Sequence, residues 1–265
     1  MIQYNNLAQA IGMAKLDLRI RGQEVKTKKW QGIEDDSRAH FWELLHYSFQ
    51  VPIPRTVHLL QQLVKPNVPW ADTAFLERVG RVPSNPGEAY KIWPFYPKDD
   101  SKIRQEKFTH TYQERMWPKY AGSPTDWSSD KHPSEYSKPN KGIRYEYGDL
   151  NDLLKLLGYD PYTRQAFLPI WFPEDTGVVH GGRVPCTLGY HFILRNGAFD
   201  ITYYIRACDA IRHFQDDVYL ACRLLLWVLS CCSDINPDAF RHVNTGSLIM
   251  HIISFHVFYK ERNLL

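Results

Sequence analysis

Two alternating apolar and polar runs that flank Asn196-Gly197 constrain the fold of this chain most strongly. The runs extend from Val184 to Leu194 and from Ala198 to Arg206. Alternation with a period of two is typical of β-strands, and Asn-Gly favours a tight turn in which both residues have a positive φ. The spacing therefore predicts a β-hairpin.

Chemically active side chains lie at the ends of these predicted elements. Cys186 is near the start of the first strand, and Arg206 ends the second strand. Apolar residues at helical spacing follow and include Leu225, which predicts a helix that begins near Asp216-Asp217. A thiol, a guanidinium and a carboxylate are therefore expected at neighbouring element ends.

The composition of the 265 residues is that of a globular protein, with 44% hydrophobic and 23% charged residues. We predict one domain over residues 1–265, with a long polar insertion around residues 97–148. Cations and aromatic residues are interleaved in that insertion, as on nucleic-acid-binding surfaces, but acidic residues nearly balance the cations. The net charge of +3 is also small, so we expect no direct nucleic-acid partner.

The five cysteines lack paired metal-type spacing, which favours reduced thiols over a disulfide framework or a metal site. The neighbours Cys231 and Cys232 fit a protein core. The longest apolar run, around Leu224 to Cys232, is shorter than the roughly 20 residues that span a bilayer. These features predict a cytoplasmic protein with no membrane partner and no metal.

A motif connects the two strands of the predicted hairpin to a known family. A Pro-Cys pair ending at Cys186, followed twenty residues later by Arg206-x-x-Asp209, resembles the active-site region of the thymidylate synthase family. Methylating members of the family carry Asn eleven residues after this Arg. Asp217 stands at that position here, which resembles the deoxycytidylate (cytidylate) 5-hydroxymethylase branch.

Two further segments add to the resemblance, which covers residues 149–258 and is thin before them. Gly246 to Phe258 is similar to a strand that reads G-S-x-I and then S-x-H-V-aromatic in the hydroxymethylase branch. Residues 160–164, DPYTR, resemble the family's D-P-x-S-R-R, whose arginines cross the dimer interface to bind the other subunit's phosphate. Arg164 keeps the first arginine, and Gln165 replaces the second.

The resemblance implies a fold of the α/β (α+β) class. Its features are a large bent mixed or antiparallel sheet, helices packed on one face, and a homodimer formed through the sheet. The implied partners are a pyrimidine nucleoside monophosphate and tetrahydrofolate, with 5,10-methylenetetrahydrofolate as cosubstrate.

In this family a thiolate adds to C6 of the pyrimidine and makes C5 reactive, which implies that Cys186 is the nucleophile. Arg206 would bind the phosphate and favour the thiolate, because a free thiol is mostly protonated at neutral pH. Asp217 would accept a hydrogen bond from the 4-amino group of cytosine, where Asn serves uracil. The alternatives are a buried inert thiol at Cys186 and simple helix capping by Asp216 and Asp217.

The resemblance also implies residues for the sugar and the cofactor. His256 and Phe258 would contact the sugar, because side chains two residues apart on a strand share a face. Asp209 matches the carboxylate that holds the pterin ring, and Trp93 matches the tryptophan that flanks the folate. A purely structural histidine or a packing tryptophan is the alternative. The alternation predicts one shared face for Met250, Ile252, Ser254, His256 and Phe258.

The general base and the phosphate-loop cation have two candidates each. The family's E-x-x-W helix, placed by its distance from Trp93, puts the catalytic Glu on Asp72, and Glu77 is the other candidate. An acidic residue near a helix start also stabilises the helix dipole, so Asp72 has a structural alternative. Lys28 or Lys29 lies where the family has a phosphate-binding loop, although both also fit a solvated surface.

These expectations lead to one function and two alternatives. We expect a cytidylate (dCMP or CMP) 5-hydroxymethylase that uses 5,10-methylenetetrahydrofolate and then captures water. The first alternative is reductive methylation of dCMP or dUMP on the same scaffold. The second is a non-catalytic nucleotide-binding paralogue, because Ala207, Gln165 and Phe258 stand where the family has Ser, Arg and Tyr. His213 also replaces a Gly on the cofactor side.

Overall fold

A computed structural model describes residues 1–30, 33–34, 37–95, 108, 110–120, 148–176 and 184–265. The strands are β1 (Ile2–Gln3), β2 (Gln23–Lys26), β3 (Lys29–Trp30), β4 (Ile33–Glu34), β5 (His40–Pro52), β6 (Phe167–Pro169), β7 (Thr187–Arg195), β8 (Ala198–Asp209) and β9 (Asn244–Phe258). The helices are α1 (Leu7–Arg21), α2 (Val57–Val64), α3 (Trp70–Val79), α4 (Glu88–Lys91), α5 (Tyr112–Met116), α6 (Leu150–Tyr159), α7 (Phe214–Ile235) and α8 (Pro237–Phe240).

One mixed sheet holds most of these strands in the order β1-β5-β9-β8-β7-β6, with β2 also paired to β5. β8 and β9 run parallel, as do β1 and β5, and the other neighbours are antiparallel. The helices cover the face where strand side chains are buried. Alternate side chains, such as Tyr204 and His251, lie on the other face and are partly exposed. This mixed sheet with helices confirms the predicted fold class.

The predicted hairpin is present as β7 and β8. Asn196 and Gly197 have φ values of 50° and 72°, so both occupy the left-handed region that a two-residue turn of this kind requires. Arg195 pairs with Ala198 directly across the turn. Local turn chemistry therefore determines the register of these two central strands.

The sheet bends where two neighbouring strands change the face that they bury. In β8 the buried side chains alternate up to Ile205, and the next fully buried one is Cys208. In β9 they alternate up to Ile252 and resume at Phe255, and Cys208 pairs with Phe255. Each strand thus shifts its alternation by one residue at the same level, which bends the sheet.

The bend corrects one prediction made from the sequence. The shared face predicted for β9 continues only from Met250 to Ile252, because Phe255 and Val257 occupy the core positions after the bend. The shift also turns Cys208, rather than Ala207, towards the helical side of the sheet. Strict alternation fails here because neighbouring strands, not the local sequence, determine where the bend lies.

The helix α7 packs against the centre of the sheet. Its buried side chains include Phe214, Leu225 and Cys232, and Cys231 is partly buried beside them. Within the described part of the chain, α7 is the one helix long and apolar enough to cross a membrane, and half of its apolar window is buried inside the protein. Core helices commonly combine such length with such burial, so α7 is a core element here.

The insertion predicted over residues 97–148 lies largely outside the described residues, but its described part joins the core. In α5, Arg115 forms a fully buried, bidentate ion pair with Asp175, at 2.7 and 2.8 Å. Trp117 Nε1 donates a hydrogen bond of 2.9 Å to the carbonyl oxygen of Arg78 at the end of α3. The hydrogen bond from Trp117 holds α5 against α3, and the ion pair holds α5 against the turn at Pro173–Asp175, although the sequence predicted mainly loops there.

Candidate active site

Cys186 is held by the hairpin, immediately before β7. Its carbonyl oxygen accepts a hydrogen bond of 2.7 Å from the backbone N–H of Arg206, next to the Thr187–Ile205 pair. The Cys186 side chain is partly buried and packs against the core. The ladder between the two strands therefore brings the predicted nucleophile and the predicted phosphate-binding arginine to the same level.

Asp217 lies in the first turn of α7, above the end of β8. Its carboxylate is 3.5 Å from the hydroxyl of Tyr203 and 3.6 Å from the thiol of Cys208, which are both potential donors. Tyr203 is in turn 2.9 Å from the hydroxyl of Thr187, the residue after Cys186. We call this group the Asp217 cluster: Arg78, Tyr112, Cys186, Thr187, Tyr203, Cys208 and Asp217.

The protonation states in the Asp217 cluster follow from burial. Burial raises the pKa of Asp217 to about 7, with the nearby charge of Asp216 acting in the same direction and that of Arg78 opposing it. Near neutral pH this carboxyl is therefore present in both its protonated and its ionised form. Burial, followed by the charge of Asp217, raises the pKa of Cys208 well above its usual range. Cys208 consequently stays a neutral thiol that can donate.

Arg78 belongs to the site, although no motif in the sequence indicated it. Its residue is only 8% exposed, and its guanidinium carbon lies 4.4 Å from the centroid of the Tyr112 ring. Burial raises the pKa of Tyr112 to about 12, and charge on Cys186 would raise it further, which places this ring near the nucleophile. A helical arginine and a tyrosine in a polar insertion gave no sequence signal because both residue types are usually solvated.

The phosphate-binding candidates differ in how far they are exposed. The guanidinium carbon of Arg206 is 5.6 Å from the centroid of the Trp171 ring, and its Nε is buried without a hydrogen-bond partner. Arg164 is exposed on the loop after α6, where its carbonyl oxygen accepts a hydrogen bond from Nε2 of His191, at 3.1 Å. Lys28 is exposed, and the side chain of Lys29 lies outside the described residues.

The residues predicted for the sugar and the pterin ring meet at the ends of three adjacent strands. His256 in β9 pairs with Asp209 in β8 on one side and with Glu43 in β5 on the other. Asp209 accepts hydrogen bonds from two backbone N–H groups of the following turn, at 2.9 and 3.0 Å. Burial raises the pKa of Asp209 and lowers the pKa of His256. Phe258 is buried beneath the guanidinium of Arg212, at 4.5 Å.

Trp93 packs against His213, the residue immediately before α7. Its ring stacks on that of His213 with centroids 5.1 Å apart and an interplanar angle of 13°. The indole Nε1 of Trp93 is buried without a hydrogen-bond partner. The structure therefore brings this predicted cofactor residue to the same helix start that carries Asp217, although more than a hundred residues separate them in sequence.

The two general-base candidates are both hydrogen-bonded outside the Asp217 cluster. Asp72 accepts hydrogen bonds from Tyr219 at 2.6 Å, Arg223 at 2.5 Å and Gln61 at 3.0 Å, and we call these four residues the Asp72 network. Glu77 accepts hydrogen bonds from the backbone N–H of Ala89 at 3.0 Å and from Gln113 Nε2 at 3.2 Å. Their assignment as base stays a prediction. The described residues contain no group of three or more side chains arranged to hold a metal ion.

Comparisons with known proteins indicate the fold of this chain. No family model and no curated protein sequence matches it. Among solved structures, the thermostable thymidylate synthase A from Bacillus subtilis superimposes with a TM-score of 0.60 at 15% identity, over 98% of this chain and 82% of that chain. The protein therefore has a thymidylate synthase-like fold, as the resemblance predicted.

Proposed function

We propose that this protein transfers a one-carbon unit to C5 of a cytidine nucleoside monophosphate, dCMP or CMP, and that water captures the product as 5-hydroxymethylcytidylate. The observation that carries this proposal is Asp217, a carboxyl with a pKa of about 7 beside the strand ends that hold Cys186 and Arg206. The thymidylate synthase-like fold supports the general class of reaction.

Cys186 has the role of nucleophile in this proposal. Pyrimidine C5 is a poor nucleophile, and adding a thiolate at C6 converts the ring into an enamine that is reactive at C5. A free thiol has a pKa of about 8.5, so a nearby cation is needed to favour the anion. Arg206, which hydrogen-bonds Cys186 through the backbone and keeps an unpaired Nε, is suited to favour the thiolate and to bind the phosphate.

Asp217 would select cytosine through both of its oxygens. A protonated carboxyl has one donor and one acceptor, so Asp217 can accept from the 4-amino group and donate to N3 of cytosine. Uracil presents the reverse pattern at these two positions, an acceptor at O4 and a donor at N3, and the ionised form of Asp217, which has acceptors only, offers no donor to O4. A mismatch leaves buried polar groups unpaired, at roughly 1–3 kcal/mol for each. The carboxylate form of Asp217 therefore supports cytidylate as the substrate, and the pKa of about 7 keeps the protonated form available to donate to N3.

Trp93 and Asp209 are the residues proposed to hold 5,10-methylenetetrahydrofolate, which supplies the one-carbon electrophile. Both have unused hydrogen-bonding capacity that fits a polar ring. Nε1 of Trp93 is an unpaired buried donor. The backbone hydrogen bonds of Asp209 use Oδ1, and its Oδ2 has only a long ion-pair contact of 3.9 Å with Nε of Arg212. His213 covers one face of Trp93 and would move aside to admit a ligand there.

The general base is proposed to be Asp72 or Glu77. A base must reach within about 3 Å of the proton that it removes. Glu77 is linked to the Asp217 cluster through Gln113, the neighbour of Tyr112 in α5, whereas three hydrogen bonds hold Asp72 in a separate network. This connection favours Glu77.

A homodimer is proposed through the sheet face opposite the helices. Aromatic side chains cluster there, because the ring of Tyr204 stacks on His251 at 5.2 Å and lies 6.3 Å from Phe167. Phe167 and Ile253 are 44% and 42% exposed, which leaves apolar surface for a second copy. Arg164 lies beside this face, where it can reach a phosphate in the partner subunit.

Incubation of the protein with CMP, dCMP and dUMP separately, each with 5,10-methylenetetrahydrofolate, tests the proposal. We expect a hydroxymethylated cytidylate by mass spectrometry and no dihydrofolate. A methylated product with dihydrofolate would instead establish reductive methylation. The replaced positions at Ala207, Gln165 and Phe258 favour a non-catalytic paralogue as a second candidate. Nucleotide binding without tritium release from C5 would establish it.

A further inference from the structure

Arg78 is a buried cation whose guanidinium has no hydrogen bond to a described residue. The residue is only 8% exposed, and its ring contact is with Tyr112. The α3–α5 contact holds its backbone, since the Arg78 carbonyl oxygen accepts a hydrogen bond from Trp117. Buried polar groups are nearly always hydrogen-bonded. The guanidinium of Arg78 keeps only a small solvent contact and has donors that no described residue uses, so it is available to a ligand.

Arg78 and Asp217 are connected by a series of contacts but do not touch. The guanidinium carbon of Arg78 lies 4.4 Å from the centroid of the Tyr112 ring, and the hydroxyl of Tyr112 lies 3.5 Å from that of Thr187. The hydroxyl of Tyr203 lies 2.9 Å from that of Thr187 and 3.5 Å from the carboxylate of Asp217. Within the described part of the chain, Arg78 and Asp217 form neither an ion pair nor a hydrogen bond, although each charge favours the other. A group that fits between them must present a donor to the carboxyl and an acceptor to the guanidinium. The hydrogen-bonding edge of cytosine does this, because it carries the 4-amino donor and N3 at one end and the O2 acceptor at the other.

We propose that Arg78 donates a hydrogen bond to the O2 carbonyl oxygen of the bound pyrimidine, as a second base-reading residue beside Asp217. The inference rests on the proposed function, since it assumes that a pyrimidine nucleotide occupies the Asp217 cluster. Uracil carries the same O2 acceptor. Arg78 therefore recognises a pyrimidine in general, and Asp217 distinguishes cytosine from uracil.

The same contact would stabilise the covalent adduct. When the sulfur of Cys186 bonds to C6, the C5–C6 π pair shifts through C4 to N3, and the electron density spreads to O2. The proton of the neutral Asp217 carboxyl passes to N3, which leaves a carboxylate next to Arg78. The guanidinium thus meets more negative charge in the adduct than in the substrate, which is the condition for lowering the barrier.

The test compares Arg78→Met with Arg81→Met, a control at an exposed arginine just beyond α3. Calorimetry measures the Kd of CMP and dCMP, and of 2-thiocytidine 5′-monophosphate, whose sulfur is a weaker acceptor than O2. We expect Arg78→Met to weaken nucleotide binding roughly 10- to 100-fold, the range for a hydrogen bond to a charged group, and Arg81→Met to leave it unchanged. Wild type should bind the thio analogue less tightly than CMP, whereas Arg78→Met should bind the two with equal affinity.

Thermal unfolding separates this role from a structural one. A ligand-binding cation that lacks a buried partner opposes folding, so Arg78→Met should unfold at the same or a higher temperature than wild type. A lower unfolding temperature with an unchanged Kd would overturn the inference. If Arg78→Met does not fold, the affinities of wild type for CMP and for the thio analogue are sufficient to test the inference. Equal affinity for these two ligands would reject the O2 contact.

The outcomes also separate this inference from the proposed function. A wild-type protein that binds no pyrimidine nucleotide overturns both. If wild type binds CMP or dCMP, but binds the 2-thio analogue as tightly as CMP, only the Arg78 contact is overturned. In turnover, kcat/KM for Arg78→Met should fall by a larger factor than the affinity, since the contact strengthens in the adduct.

Discussion

Two polar groups of side chains each include a residue of α3 and a residue of α7, and they differ in how completely they are bonded. In the Asp72 network, the carboxylate receives three hydrogen bonds of 2.5 to 3.0 Å. In the Asp217 cluster, the carboxylate of Asp217 lies 3.5 Å from the hydroxyl of Tyr203 and 3.6 Å from the thiol of Cys208. The guanidinium of Arg78 forms no hydrogen bond with any described residue. Good O–H···O hydrogen bonds are shorter, about 2.5–3.0 Å.

This difference indicates that the polar groups of the Asp72 network stabilise the fold, whereas those of the Asp217 cluster are available to a ligand. Fully bonded buried networks make a structure rigid, whereas unpaired buried groups lower its stability. A protein that keeps Arg78 and Asp217 apart in its interior loses folding free energy that a bound ligand can restore. The following predictions test this division, beginning with the largest expected effect.

Cys186→Ser should abolish chemistry at the Asp217 cluster while leaving the Asp72 network intact. Loss of a nucleophile lowers turnover by roughly three or more orders of magnitude. Tritium release from C5-labelled dCMP or CMP measures the step directly, with nucleotide affinity as the control for folding. Full turnover in this variant would reject the enzyme proposed here.

Asp217→Asn should reverse the preference between cytidylate and uridylate. The amide has no ionised, acceptor-only form that would reject uracil, and with its NH2 directed at O4 and its oxygen at N3–H it complements that base. We expect kcat/KM for cytidylate to fall roughly 10- to 100-fold and that for uridylate to rise. Parallel assays with dCMP, CMP and dUMP measure both changes. An unchanged ratio would remove Asp217 from base recognition.

The stability of wild type relative to Asp217→Asn should fall as pH rises. The pKa of Asp217 is about 7 in the folded protein, against an ordinary value of 3.8, so the folded state holds the proton more tightly. This group therefore favours folding below about pH 4, and its contribution is lost as pH rises through about 7. Urea unfolding of both proteins should show wild type losing roughly 2–4 kcal/mol relative to the variant over that range. A constant difference would contradict the raised pKa.

Asp72→Asn should show the smallest effect, confined to stability. Asp72 and Arg223 are partly exposed, so solvent weakens their ion pair and we expect a loss of about 1 kcal/mol in the free energy of unfolding. Nucleotide affinity and turnover, measured well below the unfolding temperature, should remain those of wild type. Glu77→Gln is the matched comparison, because Glu77 is the favoured base. If turnover were lost in Asp72→Asn but not in Glu77→Gln, Asp72 would be the base. The Asp72 network would then have a catalytic role and not a purely structural one.

Several elements of the fold were predictable because their signals are local. The Asn196-Gly197 turn requires a positive φ that few other pairs tolerate, and it produced the predicted hairpin. Asp149 accepts hydrogen bonds from the backbone N–H groups of Asn151 and Asp152, so the start of α6 also depends on a contact that spans only two or three residues. The shared face predicted along β9 failed beyond Ile252, since the bend depends on the adjacent strand.

The site was only partly accessible to sequence reasoning. Cys186, Arg206 and Asp217 lie at the ends of predictable elements, and the structure brings them to the same end of the hairpin. Arg78 and Tyr112 could not be identified from the sequence. An arginine in a helix and a tyrosine in a polar insertion have no distinctive spacing, and only the packing of α5 on α3 makes them part of the site.

The sequence by itself determined the hairpin turn, the helix starts and the residue types that stand at the element ends. These depend on φ preferences and on hydrogen bonds that span only a few residues. Tertiary structure alone decided which carboxylate is tied to an arginine and which stays open with a pKa of about 7. Desolvation and charge act through space, so they depend on side chains that the linear sequence holds far apart.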